Sequence, residues 1–331
     1  MISRRLFCGS LPAAAVTLAA APPSLAQNAP TRPPVLATHG RYDYSPIRGR
    51  KPYTWQNGKS LAVYVALNLE HFVFAEGLGA ELAPGGPQPD ILNYSWRDYG
   101  NRVGVWRMFD LFAQLRISSS ILVNSSIYGY CPEVMTASRA LGFEVVGHGR
   151  TNSERQGTMD EAAERTLIAE TTAVITAAEG RAPRGWPGPW ISESRITPDL
   201  LAEAGYTYLL DWGIDDQPVW FKTRGGKRIL NVPYPQEIND IPAIAVRKDS
   251  ATQFAEMVVD TFDEMLEQAA DGPLVMGIAL HPYIVGYPHR LRPLRRALSH
   301  ITEKRDQIWI TTAGAVAEHA ASLPTGTVPG G

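Results

Sequence analysis

The sequence predicts an α/β fold built from about seven strand–helix units and closed into a barrel, complete or distorted. Three observations carry this. Short apolar runs of strand length alternate with helical patterns from residue 61 onward. The runs are apolar almost throughout, as parallel strands covered on both faces must be. No glycine-rich phosphate loop follows the first run, which disfavours a doubly wound dinucleotide-binding sheet. In either architecture, polar residues at the C-terminal ends of strands face the site where chemistry is done.

The elements follow in order. LAVYVALNLE (61–70), SSSILVN (118–124) and FEVVGH (143–148) are predicted as buried strands. NRVGVWRMFDLFAQL, CPEVMTASRAL and MDEAAERTLIAETTAVITAAEG carry helical spacing, and the last closes on a C-terminal glycine. TPDLLAEAGYTYLLDW reads as a capped helix that turns through Gly205 into a strand. ATQFAEMVVDTFDEMLEQAADG leads into PLVMGIALHP, and DQIWITTAGAVAEHA repeats the strand-then-helix order.

Residues 1–26 read as an export signal peptide: a basic start, an Ala/Leu/Val run and a small-residue end at Ser24-Leu25-Ala26. The Ser3-Arg4-Arg5-x-Phe7 pattern favours the twin-arginine type, so an exported, periplasmic or secreted protein is expected. Residues 27–60 read as an N-terminal wrapping segment, 61–323 as the barrel domain and 324–331 as a flexible tail. The formal net charge of the 331-residue chain is −2, and losing Arg4 and Arg5 with the leader makes it more negative. With no basic patch, nucleic acid is not an expected partner. No run after the leader resembles a stable membrane span. Of the 2 cysteines, Cys8 leaves with the leader and Cys131 stands alone, so no intrachain disulfide is expected.

Ionisable residues collect at strand ends. Asn68, Glu70 and His71 close the first run; His148 and Asn152 follow the third; Asp211, Asp215 and Asp216 follow YTYLL; and His281 follows VMGIAL. Any one of them has a plain structural reading, as a cap or a core hydrogen-bonder. The ensemble points to hydrolysis. Glu70 suits a base or cation holder, His148 a metal ligand or water-positioning group, and His281, steadied by Asp216 or Asp211, an acid for a leaving amine. Trp186 and Trp190 in RGWPGPW, with Trp212, Tyr283 and Asn68, are the expected substrate wall.

Taken together, ALNLEHF, GHGRTN, RGWPGPW, LLDWGIDDQP and ALHP, in that order, resemble the five motifs of the polysaccharide deacetylase family with its NodB homology domain. The resemblance is strongest to its divergent allantoinase-like and cyclic-imide-hydrolase-like branch. It implies a distorted (β/α)7 barrel that hydrolyses non-peptide C–N bonds. The sequence departs from the metal-dependent sugar deacetylases at the ligand positions. Asn68, Glu70 and His71 stand where those enzymes carry aspartates, and Asn152 stands where the second histidine of H-x-x-x-H belongs. Amide oxygen is a poor zinc ligand. The cofactor expectation is therefore none, or a weakly held divalent metal such as zinc on Glu70, His148 and Asn152, with His71 as a further candidate.

The leading expectation is an exported hydrolase of a small cyclic or linear amide or imide. The alternative is N- or O-deacetylation of an acetylated saccharide, and a third reading is a non-catalytic carbohydrate-binding relative. Allantoinase-like relatives are often oligomers, so a homo-oligomer stays open.

Overall fold

The computed structural model describes residues 36–75 and 79–331; the proposed leader and the first part of the wrapping segment lie outside these. The body is His39–Gly331. In chain order it runs β1 (Leu61–Leu69), α1 (Ile91–Tyr99), α2 (Val105–Leu115), β2 (Ser119–Val123), α3 (Ile127–Tyr130), α4 (Pro132–Ala140), β3 (Glu144–Gly147), α5 (Glu161–Glu179), β4 (Gly185–Trp186), α6 (Thr197–Glu203) and β5 (Tyr208–Leu209). It continues with β6 (Val219–Lys222), β7 (Arg228–Asn231), α7 (Ala251–Gln268), β8 (Leu274–Leu280), α8 (Pro282–Val285), α9 (Pro288–Glu303), β9 (Trp309–Thr311) and α10 (Ala313–Ser322).

The strands form two sheets. In the first, β3-β2-β1-β8 run parallel, and β1 changes neighbours along its length: β9 pairs with Ala62–Tyr64 and β2 with Val65–Leu69. The second has the order β4-β5-β7-β6. Its β6–β7 hairpin is antiparallel, which departs from the all-parallel expectation, and β5 keeps only two residues of the predicted run. The barrel is therefore distorted, and it is split between β3 and β4. Near the strand starts the carboxylate of Glu144 bridges the split, accepting from Ser120 Oγ (2.8 Å), Tyr208 OH (2.9 Å) and Gly314 N (3.0 Å).

Strand periodicity sorts the side chains. On β1, the odd residues Leu61, Val63, Val65, Leu67 and Leu69 pack under the helices, whereas Ala62, Tyr64 and Ala66 belong to the barrel interior with Leu122, Val146, Leu230, Val275 and Ala279. Extending each strand by that period of two carries Asn68, Glu70, Asn124, His148 and His281 onto the interior face at one end of the barrel.

Local signals set the helices. Asp160 caps α5, accepting from Ala163 N, and Gly180 at φ 70° closes it; Ser250 and Gln253 form a capping box on α7. Between α1 and α2, Gly100–Gly104 form a π-helical turn, and a side chain at Gly100 would meet Tyr283 N at 2.7 Å.

The segment 39–60 is tied down by two bidentate pairs, Arg41 with Asp199 and Arg50 with Asp215. The tail from Pro324, expected to be flexible, is instead laid against β6: Trp220 N donates to Pro329 O at 2.8 Å and Val328 is buried. Among the described residues no helix is long and apolar enough to cross a membrane.

Candidate active site

A cavity of about 250 Å³ opens at the strand ends, lined by Glu70, His148, Asn152 and His281 among others. Glu70 is its centre. Tyr283 OH donates to Oε2 at 2.6 Å, while Oε1 lies 3.4 Å from His281 Nε2 and 3.7 Å from His148 Nε2. The glutamate backbone is fixed as well, by Asn101 Nδ2 donating to its carbonyl at 2.8 Å. Burial raises the cost of ionising Glu70, but chiefly the charge of the adjacent His281 outweighs it and holds the carboxyl far below the ordinary carboxylate range.

His281 is bound on its other side by Asp240, a residue that sequence reasoning missed. Asp240 Oδ1 lies 2.6 Å from His281 Nδ1, and Oδ2 accepts from the His281 backbone N at 2.8 Å. Residues 238–240 reach this position by running beside the end of β8, with Ala279 N donating to Ile238 O and Asn239 bridging Ala279. Burial opposes the imidazolium, yet the carboxylates of Asp240 and Glu70 raise His281 to about 10. It is a cation at neutral pH.

The histidine's expected partners are elsewhere. Asp215 is held by Arg50, Asp216 lines a separate cavity near Pro233, and Asp211 accepts from Gly188 N at 2.7 Å. The turn that carries Asp216 lies beside the start of β8, where Val275 N donates to Asp216 O at 2.8 Å, and not at the end that bears His281, so spacing after YTYLL was a poor guide to which acid meets His281.

His148 is held differently. Its Nδ1 lies 2.9 Å from the Pro187 carbonyl, which can only accept, so Nδ1 carries the proton. That leaves Nε2 as the free face: buried, turned toward Glu70 and without a hydrogen-bond partner among the described residues. Gly149, at φ 68°, makes the turn behind it, where a side chain would meet Pro189 Cγ at 2.6 Å.

Asn152 and Asn124 form one chain of amides. His71 N donates to Asn124 Oδ1 at 2.8 Å, which makes the other atom of Asn124 a donor; it gives to Asn152 Oδ1 at 2.9 Å and to the His148 carbonyl. Asn152 therefore spends its oxygen on Asn124, and the group it has left for the cavity is its NH₂. Asn124 is the second residue the sequence reading missed, although the alternation on β2 marks it.

These placements decide the fit of a metal. The amide oxygen of Asn152 already accepts from Asn124 and is by its nature a poor zinc ligand. His71 stacks on Tyr130 and meets Ser126 Oγ at 2.9 Å, away from the cavity. Glu70 and His148 remain, and among the described residues no group of three His, Cys, Asp or Glu side chains is arranged to hold an ion. Two donors can hold a divalent ion only weakly, so the residues do not make a tight zinc site.

The residues expected to form the substrate wall divide between the cavity and the core. Asn68, Trp190 and Tyr283 line the cavity. Trp186 is fully buried, with Nε1 donating to Gln156 at 3.1 Å, and Trp212 packs on Tyr42 and Phe221 with Nε1 donating to Glu193 at 2.8 Å. Neither reaches the cavity. Cys131 sits at the start of α4, where burial and nearby carboxylates push its thiol up to about 11, unsuited to a nucleophile.

No protein-family model matches the chain. A polysaccharide deacetylase candidate of Schizosaccharomyces pombe is 25% identical over 292 residues, 80% of this chain and 91% of the relative. The crystal structure of PuuE allantoinase superposes with a TM-score of 0.71 at 27% identity, over 85% of this chain and 99% of that one. The chain has the deacetylase and allantoinase fold. A probable polysaccharide deacetylase of Pseudomonas aeruginosa gives a TM-score of 0.70 at 26% identity, over 80% of this chain and 92% of that one. The recognition of a NodB-type barrel with an allantoinase-like cast, made from five short motifs, agrees with these neighbours.

Proposed function

We propose that the protein hydrolyses a C–N bond other than a peptide bond, in a small cyclic or linear amide or imide. The observation that carries this is the pairing of a buried cation with an open base on one carboxylate, in a cavity of about 250 Å³. That volume lies below the ~300–1,000 Å³ usual for drug-sized ligands and suits a ring better than a sugar chain.

The residues divide the work. A water between Glu70 Oε1 and His148 Nε2 is oriented by the first and gives its proton to the lone pair of the second as it attacks the carbonyl carbon. Glu70 is held too firmly ionised to be a good proton acceptor itself. The NH₂ of Asn152 stabilises the oxyanion that forms. The C–N bond then breaks, and His281, kept charged by Asp240, protonates the departing nitrogen from Nε2. No step passes through a metal.

The naming of the S. pombe and P. aeruginosa relatives favours a second reading, deacetylation of an acetylated saccharide. Export through the twin-arginine leader, proposed from residues 3–7, fits either substrate. The deciding experiment screens cyclic amides, cyclic imides and acetylated oligosaccharides against purified protein, with metal analysis and chelator treatment. Turnover of the ring compounds that survives chelation is expected. One equivalent of tightly bound zinc together with sugar deacetylation would overturn the proposal.

A further inference from the structure

The cavity wall carries information about the rest of the substrate. Apart from the groups assigned above, its lining is dominated by Pro187, Trp190, Ile191, Ile241, Pro242 and Val246, and among the described residues no Lys or Arg lines it. Of the remaining polar side chains, Asn68 donates to Tyr234 OH (3.0 Å) and Leu280 O (3.2 Å) and Asn239 accepts from Ile241 N (3.0 Å), while Gln236 sits exposed at the edge of the cavity. A polyhydroxylated ligand would find few partners there, and an anionic one would meet the carboxylate of Glu70 at the centre of the cavity, beside the His281 imidazole.

This apolar wall is held in place at a cost. Trp190 and Ile191 are successive non-glycine residues at φ 67° and 53°. That region is sparsely populated by L-residues, and for a β-branched side chain it is a genuine outlier that persists only where the surroundings impose it. The surroundings here are explicit. Trp190 Nε1 donates to Asn152 O at 2.8 Å, Ile191 N to Gly188 O at 2.9 Å and Gly188 N to Asp211 at 2.7 Å, while the Arg155 guanidinium lies 5.5 Å over the Trp190 ring. At the end of a π-helical turn, Ile241–Val246, Val246 lines the cavity while 69% exposed, an apolar side chain with little protein cover.

We infer that the substrate is an uncharged amide or imide bearing an aliphatic or aromatic substituent, which lies against Trp190, Ile241 and Val246. This rests on the hydrolase reading above but goes further, by assigning the specificity to those three side chains.

The test uses hydantoin, 5-phenylhydantoin and hydantoin-5-acetic acid as matched rings with no substituent, an apolar one and an anionic one. Full-chain protein is assayed for kcat/KM, and the Glu70→Gln variant for binding by calorimetry. The phenyl compound is expected to exceed hydantoin by roughly 10–200-fold in kcat/KM and to bind more tightly, with the acid the poorest of the three. Val246→Ser, at an exposed position that folding tolerates, should cut the phenyl preference several-fold. Turnover of hydantoin without a phenyl preference, or a preference for the acid, overturns this inference and leaves the hydrolase reading standing. Tight phenyl binding without any turnover does the reverse. Absence of phenyl binding overturns the inference whatever the turnover.

Discussion

Asp240→Asn is the most direct perturbation of the proposed acid. In the native protein His281 is raised to about 10 from an ordinary 6.5, so essentially all of it is charged at pH 8. The substituted amide would have one oxygen for two donors, His281 N and Nδ1, and no charge for the imidazolium. If His281 then fell only to its ordinary value, roughly 3% would be charged at pH 8 and about 90% at pH 5.5. Activity should therefore drop about 30-fold at pH 8 and far less at pH 5.5. The assay is kcat/KM from pH 5 to 10.5, with imidazole titration by NMR on the same samples. Stability should move with it. A histidine raised in the folded state contributes stability that is complete below about 6.5 and is lost as pH rises through about 10, so that decline should disappear in the variant. A loss of activity equal at every pH, or an unchanged alkaline limb, would show that Asp240 only supports the loop and would refute the argument.

Two further outcomes are expected. Asn152→Ala should lower kcat by roughly 10²–10³ with little change in KM, as removal of an oxyanion donor does, whereas an unchanged kcat would place the oxyanion elsewhere. Burial, then the Glu193 carboxylate, pushes Asp211 well above the ordinary carboxylate range, and burial pushes Glu193 up to about 7, so the folded state loses stability as pH rises from about 4.5 through 7. Asp211→Asn should flatten that loss, which thermal melts would read as a smaller drop in Tm between pH 5 and pH 8 than in the native protein.

Much of this arrangement was legible because strand periodicity is a strict rule. Apolar runs ending in Glu70, His148 and His281 fix both the strand and the face, and the same count places His71 on the wrong face for the cavity. Asp240 was not legible. It reaches His281 through a segment with no periodic pattern, and the only clue was that a buried histidine needs a partner. Trp186 and Trp212 were misplaced for a related reason: an aromatic beside a Pro/Gly loop satisfies the same composition rule whether it faces a ligand or the core. The short β4 and the β6–β7 hairpin also escaped, since a two-residue strand carries no period to read and the hairpin breaks the strand–helix alternation.

The split between the two sheets gives the molecule a mechanical property. His148 rides on the first sheet, but the carbonyl that selects its tautomer belongs to Pro187, just beyond β4 of the second. At the opposite end of the same split, Glu144 on β3 is bolted to Tyr208 on β5. A slip of about an ångström between the sheets would release the Pro187 contact and leave the proton of His148 free to move to its other nitrogen. The tautomer of His148 is thus tied to the alignment of the two sheets through its contact with Pro187, and the Glu144–Tyr208 hydrogen bond is a second tie across the same split. Tyr208→Phe, which removes nothing from the cavity, is where a loss of activity would expose the linkage.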